Sequence, residues 1–137
     1  MARKAVLLVI AMLMLAAFML PGVASARDFR VRPKVKLEQV PGGTVHQGDR
    51  VVLAGRIKSK AVCERRRIVE LFQVDPGPNT LLDTDRSDRD GEFRFTLRVH
   101  GDMTVYAHLD KLVDRRYSGR HVCRASSSQK VDINVSG

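Results

Sequence analysis

The chain has 137 residues, with 24 Lys and Arg against 15 Asp and Glu, a formal net charge of +9 and only 5% aromatic residues. Two domains do not fit this length, and the charge favours acidic surfaces or polymers as neighbours without naming one. The two cysteines, Cys63 and Cys123, are an even count whose meaning depends on the compartment the chain reaches.

The first 26 residues speak to that compartment. A basic start, Arg3 and Lys4, runs into an apolar stretch from Ala5 to Leu20, then Pro21, Gly22 and the small-x-small sequence Ala24-Ser25-Ala26. This reads as a signal peptide for the general secretion route, because the apolar run falls short of the roughly 20 residues of a comfortable membrane span. An uncleaved anchor is the alternative. Cleavage after Ala26 removes two basic and no acidic residues, so the exported product, about 110 residues long, carries +7. The rest of the chain has no apolar stretch long enough to cross a bilayer, so the product is expected to be secreted or associated with the cell envelope, without stable membrane insertion.

Residues 27–44 read as an extended lead-in holding a possible first strand over 31–37, weakened by Pro33, which lacks a ladder donor. From residue 45 to the end, apolar and polar residues alternate with period two between Gly, Pro and Asp clusters, the pattern of half-buried strands. In 50–59, Val51, Leu53, Gly55 and Ile57 share one face. In 92–99, Phe93, Phe95, Leu97 and Val99 alternate with Glu92, Arg94, Thr96 and Arg98. Residues 103–109 and 131–135 repeat the pattern, and 67–74 and 80–83 are weaker candidates. No segment after Pro21 has a helical period. Pro41-Gly42-Gly43 and Asp75-Pro76-Gly77-Pro78-Asn79 place loops, and Asp88-Arg89-Asp90-Gly91 is expected to close a tight hairpin.

Seven short strands in this length predict an all-β fold, a seven-stranded antiparallel Greek-key sandwich of immunoglobulin-like (Ig-like) type. The run from Val45 through Gly48, Val51, Leu53 and Gly55 to Ile57 resembles the V-x-x-G-x-x-V-x-L-x-G-x-V opening of bacterial Ig-like domains in secreted and surface proteins. Thr84-Asp85-Arg86-Ser87-Asp88-Arg89-Asp90-Gly91-Glu92-Phe93-Arg94-Phe95 is similar to their T-x-x-D-x-x-G-x-F-x-F segment. Tyr106-Ala107, Tyr117, and Ala125-Ser126-Ser127-Ser128 leading into Val131-Asp132-Ile133-Asn134-Val135 resemble their last two strands. The resemblance covers roughly 45–135 and implies an adhesive, spacing or carbohydrate-associated module. The paired cysteines and the arginine content depart from a spacer.

On this architecture Cys63 and Cys123 lie in the connections after the second strand and before the last, at one end of the sandwich, where a disulfide can join them. Free thiols or an intermolecular bond are the alternative. Closing a loop of about 60 residues stabilises by roughly 4 kcal/mol on chain-entropy grounds. Arg65, Arg66 and Arg67 follow Cys63, and Arg115, Arg116, Arg120 and Arg124 surround Cys123, so the bond would gather these guanidinium groups on one rim. Such a rim suits bidentate capture of carboxylate, phosphate or sulfate, with Tyr117 and His121 adding stacking or hydrogen bonds. The competing expectation is that Asp85, Asp88 and Asp90 neutralise the rim by salt bridges worth little in stability.

Metal and catalytic readings find no pattern. With Gly91 as the sixth position of a calcium loop, Arg86 and Leu97 occupy ligand positions they cannot serve. His46, His100, His108 and His121 lack zinc spacing, the serines have no elbow motif, and no Gly-rich phosphate loop is present, so neither an enzyme nor a cofactor is expected. Few aromatics for base stacking and an extracellular destination argue against nucleic acid. The expectation is a binding module whose arginine-rich loops contact an acidic envelope polymer, glycan or protein. The alternatives are an inhibitor or stress-related factor that binds an extracellular enzyme, and a purely structural envelope component.

Overall fold

The computed structural model describes residues 28–116 and 119–137. The expected signal peptide therefore lies outside the described residues, as does Tyr117. The strands are β1 (Phe29–Val31), β2 (Lys34–Val40), β3 (Val45–His46) and β4 (Arg50–Lys58), then, after one helical turn α1 (Ala61–Glu64), β5 (Ile68–Gln73) and β6 (Thr80–Arg86). They continue with β7 (Glu92–Arg98), β8 (Met103–Leu109), β9 (Leu112–Asp114), β10 (His121–Cys123), β11 (Ser126–Ser127), β12 (Val131–Ile133) and β13 (Val135–Ser136). The fold is all-β apart from that turn. Among the described residues no helix is long and apolar enough to cross a membrane.

Two antiparallel sheets form the body. One runs β2-β4-β7, and the other runs β11-β8-β5-β6 with β12 also on β8. Each strand turns its alternate apolar residues inward: Val35 and Leu37 from β2, Val51, Leu53 and Ile57 from β4, Phe93 and Phe95 from β7 meet Val69, Leu71, Val105, Ala107, Leu109 and Ile133 from the facing sheet. Burying one face of each strand while the other stays wet is what a period of two encodes. Gly55 stands opposite Phe93 in the ladder, and a Cβ there would lie 2.1 Å from the Phe93 ring, so the ring takes the space a side chain would fill.

Three features differ from the expectation. The possible first strand of 31–37 is present with shifted bounds: Pro33 separates β1 from β2, and β2, Lys34–Val40, pairs with β4 over seven residues and sends Val35 and Leu37 into the core. Asp88-Arg89-Asp90-Gly91 does turn the chain, with Gly91 at a φ of 79°, yet it is not a hairpin. It carries the chain from β6 in one sheet to β7 in the other. Turn chemistry dictates a reversal and does not choose the sheet that receives the next strand. Finally, β1, β10 and β9 make a separate three-stranded sheet, in which β10 pairs parallel with β1 and antiparallel with β9. This tip sheet had no period-two signature, its strands being three residues each.

The candidate anion-binding tip

A disulfide joins Cys63 to Cys123 with their Cα atoms 5.6 Å apart, and both residues are fully buried. It fastens α1, just after β4, to the central strand of the tip sheet. The turn that carries Cys63 is closed by hydrogen bonds from the Cys63 N–H to the Lys60 carbonyl and from the Arg65 N–H to the Ala61 carbonyl. Glu64 reaches back to accept the Ser59 N–H at 2.5 Å, satisfying a donor at the start of the turn.

Arg67 departs from the expected rim. It shares the inward parity of Val69 and Leu71, is 5% exposed, and donates from Nη1 to the Cys63 carbonyl at 3.1 Å and from Nη2 to the Asp110 carbonyl at 2.5 Å. Burial pulls its guanidinium below its ordinary value and the Asp110 charge opposes that shift. An arginine stays charged at neutral pH regardless. Beside it the Ser87 hydroxyl, buried in the connection from β6 to β7, accepts the Arg67 N–H and donates to the Glu64 carbonyl. Arg67 is thus a tie between α1, β5 and the turn after β8, buried in the wall of the basic groove with two of its donors already used.

The remaining arginines are sorted by strand parity. In β10, His121 and Cys123 face one way and Val122 the other, with Arg120 and Arg124 continuing the parity of Val122 on either side. On the inner face, a broad groove of about 1350 Å³ is lined by Arg65, Arg66, Arg86, Arg89, Lys111 and Arg116, and also by Glu70, Asp110 and Asp114. On the outer face, a smaller depression of about 310 Å³ is lined by Arg30, Arg32, Lys111, Arg120 and Arg124 over Val122 and Ala125. The single rim foreseen from the sequence is therefore two basic surfaces back to back. Arg115 is exposed and lines neither depression.

Two of the three carboxylates expected to neutralise the rim accept backbone donors instead. Asp85 accepts the N–H groups of Arg86 and Arg94, and Asp88 those of Asp90 and Glu92. Arg65 instead donates from Nε to the Arg89 carbonyl at 3.2 Å. The carboxylates that do reach the rim are others: Asp114 pairs with Arg116 at 3.3 Å and Asp28 with Arg120 at 3.7 Å. The Asp114 carboxyl is held below the usual carboxylate range, first by the hydrogen bond it accepts from the Arg116 N–H, while its burial works the opposite way and the Arg116 guanidinium adds to the lowering. Arg66 takes a φ of 51°, a left-handed conformation uncommon for a side-chain-bearing residue, and its N–H donates to the Ser87 carbonyl.

Phe29 stacks on His121 with ring centroids 5.2 Å apart, and the Lys60 ammonium sits 5.0 Å from the Phe29 ring centre. His108 lies on the far sheet, hydrogen-bonded to Ser127. Among the described residues no group of three His, Cys, Asp or Glu is placed to hold a metal ion. Sequence reasoning missed Arg30, Arg32, Arg86, Arg89 and Lys111. The first two alternate about Val31 and so share one face, but nothing local marks β10 as their neighbour some 90 residues on. No protein-family model matches the chain, and no curated protein matches it either.

Proposed function

We propose that the protein is an exported, non-enzymatic Ig-like module whose disulfide-anchored, arginine-rich tip binds anionic groups of an envelope polymer, a glycan or an extracellular protein. The Ig-like reading rests on two facing antiparallel sheets with β2, β4 and β7 in one and β5, β6, β8 and β12 in the other. The export reading rests on the signal-like first 26 residues and on a buried disulfide, a bond that persists in oxidising compartments.

The observation that carries the binding reading is the number of exposed guanidinium groups at the tip without a carboxylate partner. Among the described residues Arg65, Arg66 and Arg124 have no acidic group within ion-pair distance, while the nearby Asp85 and Asp88 are committed to backbone donors. Arginine's planar fork binds oxyanions in a bidentate fashion, and a rigid support lowers the ordering cost of such contacts.

Salt-gradient elution from a heparin column tests this. Replacing Arg65, Arg66, Arg115, Arg116, Arg120 and Arg124 with Ser should bring elution to markedly lower salt. A control that loses as many cations from the outer face of the β2-β4-β7 sheet, at Lys34, Lys36, Arg50, Lys58, Arg94 and Arg98, should elute close to the parent. Equal shifts in the two variants would reduce the effect to net charge and refute the reading.

A further inference from the structure

The two basic surfaces of the tip are unequal. Three carboxylate residues line the inner groove, where Asp114 already holds Arg116 and the Arg89 carbonyl holds Arg65. Among the described residues no acidic residue lines the outer depression, and of its five cations only Arg120 has a carboxylate partner, Asp28. Coulomb attraction for an incoming anion is offset in the first and nearly unopposed in the second.

We propose that the outer depression, formed by Arg30, Arg32, Lys111, Arg120 and Arg124 over Val122, is the anion-binding centre of the tip, and that its ligand is a tetrahedral oxyanion group, a phosphate or sulfate. The proposal rests on the binding reading above and assigns it to one face and one chemistry. The register sets the site. Arg30 of β1 is level with Val122 of β10, and Arg120 and Arg124, the residues just before and just after β10, are held beside β1 by backbone hydrogen bonds to Phe29 and Val31, so cations from β1 and from both ends of β10 surround one small apolar floor. That floor is rigid: Val122 is 6% exposed and its neighbour Cys123 is tied through the disulfide to α1. Side chains whose backbone is tied to a paired strand, as those of Arg120 and Arg124 are, keep more of their orientation before a ligand arrives.

Size and valence select the ligand. The depression, about 310 Å³ and open to solvent, has room for a compact group of a free ion or of a chain running past it. A carboxylate holds its acceptor oxygens in one plane, while the oxygens of a tetrahedral phosphate or sulfate are directed to several sides, which suits cations that ring a floor. The same group occurs free in solution and as an ester along a polymer.

Calorimetric titration of the oxidised protein with polyphosphate, at fixed moderate salt, separates the alternatives. Two triple variants remove equal charge: Arg30→Ser with Arg32→Ser and Arg124→Ser on the outer face, and Arg65→Ser with Arg66→Ser and Arg116→Ser on the inner. The outer variant should bind at least about tenfold more weakly, about 1.4 kcal/mol, and the inner variant, which loses only general attraction from Arg65 and Arg66, should lose clearly less. Arg→Lys at the same three outer positions retains the charge and should weaken binding in the same direction, which keeps the test valid if the serine variant misfolds. Equal losses in the two serine variants, or a larger loss on the inner face, would overturn the assignment while leaving a binding tip in place. Unchanged affinity in both would bring down the binding reading itself. Inorganic phosphate in a parallel titration identifies the source: displacement of polyphosphate at matched phosphate concentration points to a free anion, and failure to displace it points to a chain-borne group.

Discussion

In the body of the molecule the buried residues are aliphatic and aromatic, from Val35 through Phe95 to Ile133, whereas at the tip they are Cys63, Cys123, Val122, Arg67, Ser87 and Asp114. The body is held by apolar surface removed from water, a force that needs no particular partner. The tip has too few apolar residues for that, and is held by one covalent bond and by hydrogen bonds that each require a specific geometry. All three buried polar or charged residues among the described residues lie at the tip. The difference teaches that the body supplies stability and the tip spends its sequence on presenting charge.

If that division holds, injuries to the two regions should differ in reach. Leu53→Ala in the body, at a fully buried position, should lower the unfolding free energy by about 3–5 kcal/mol and shift every spectroscopic probe together. Replacing both cysteines with Ser should be next, a loss of about 2–5 kcal/mol by denaturant titration. Its signature is local. Amide exchange should accelerate in α1 and β10 more than at Leu53 and Phe95, and a uniform acceleration would show that the tip is not a separable region.

The same division explains how much of the molecule could be read from the residues. Residues 92–99 and 103–109 became β7 and β8 because one face of each is wet and one dry, which writes burial directly into the alternation. The tip sheet has strands of three residues, and its partners are brought together by the disulfide and by chain paths that no local pattern records. The disulfide itself was legible from the expected compartment and the even count. The arginine rim was legible only in outline. The run Arg65-Arg66-Arg67 looks uniform, yet Arg67 continues the inward parity of Val69 and Leu71, a signal that would have placed it inside. The split of the other arginines between two faces could not be foreseen before β10 was known to be a strand.

Arg67 gives a sharper comparison, because it sits among binding candidates but serves the fold. Arg67→Met keeps much of the volume and removes the donors to the Cys63 and Asp110 carbonyls. The buried Cys63 carbonyl left without this partner should cost about 1–3 kcal/mol in denaturant titration. Heparin elution of the folded variant should match the parent. A drop in retention as large as that produced by removing Arg124 would return Arg67 to the binding surface.

The smallest effect expected concerns acid, and it too divides tip from body. Asp114 has its carboxyl depressed in the folded protein by the Arg116 N–H and guanidinium. In the unfolded chain the group returns to about 3.9. A group with a lowered folded value binds protons less readily when folded, so its contribution to stability is fully present above the unfolded value and is lost as pH falls through the folded one. Stability measured downward from pH 5 should therefore decline, and Asp114→Asn should make that decline shallower while lowering stability at neutral pH. The loss should register first at the tip, as faster amide exchange around Arg116 and in β10, with β4 and β7 protected until lower pH. An acid profile identical in the parent and the Asn variant would mean that the Asp114–Arg116 contact does not bear on folding, and that the tip stands on its disulfide and on Arg67 alone.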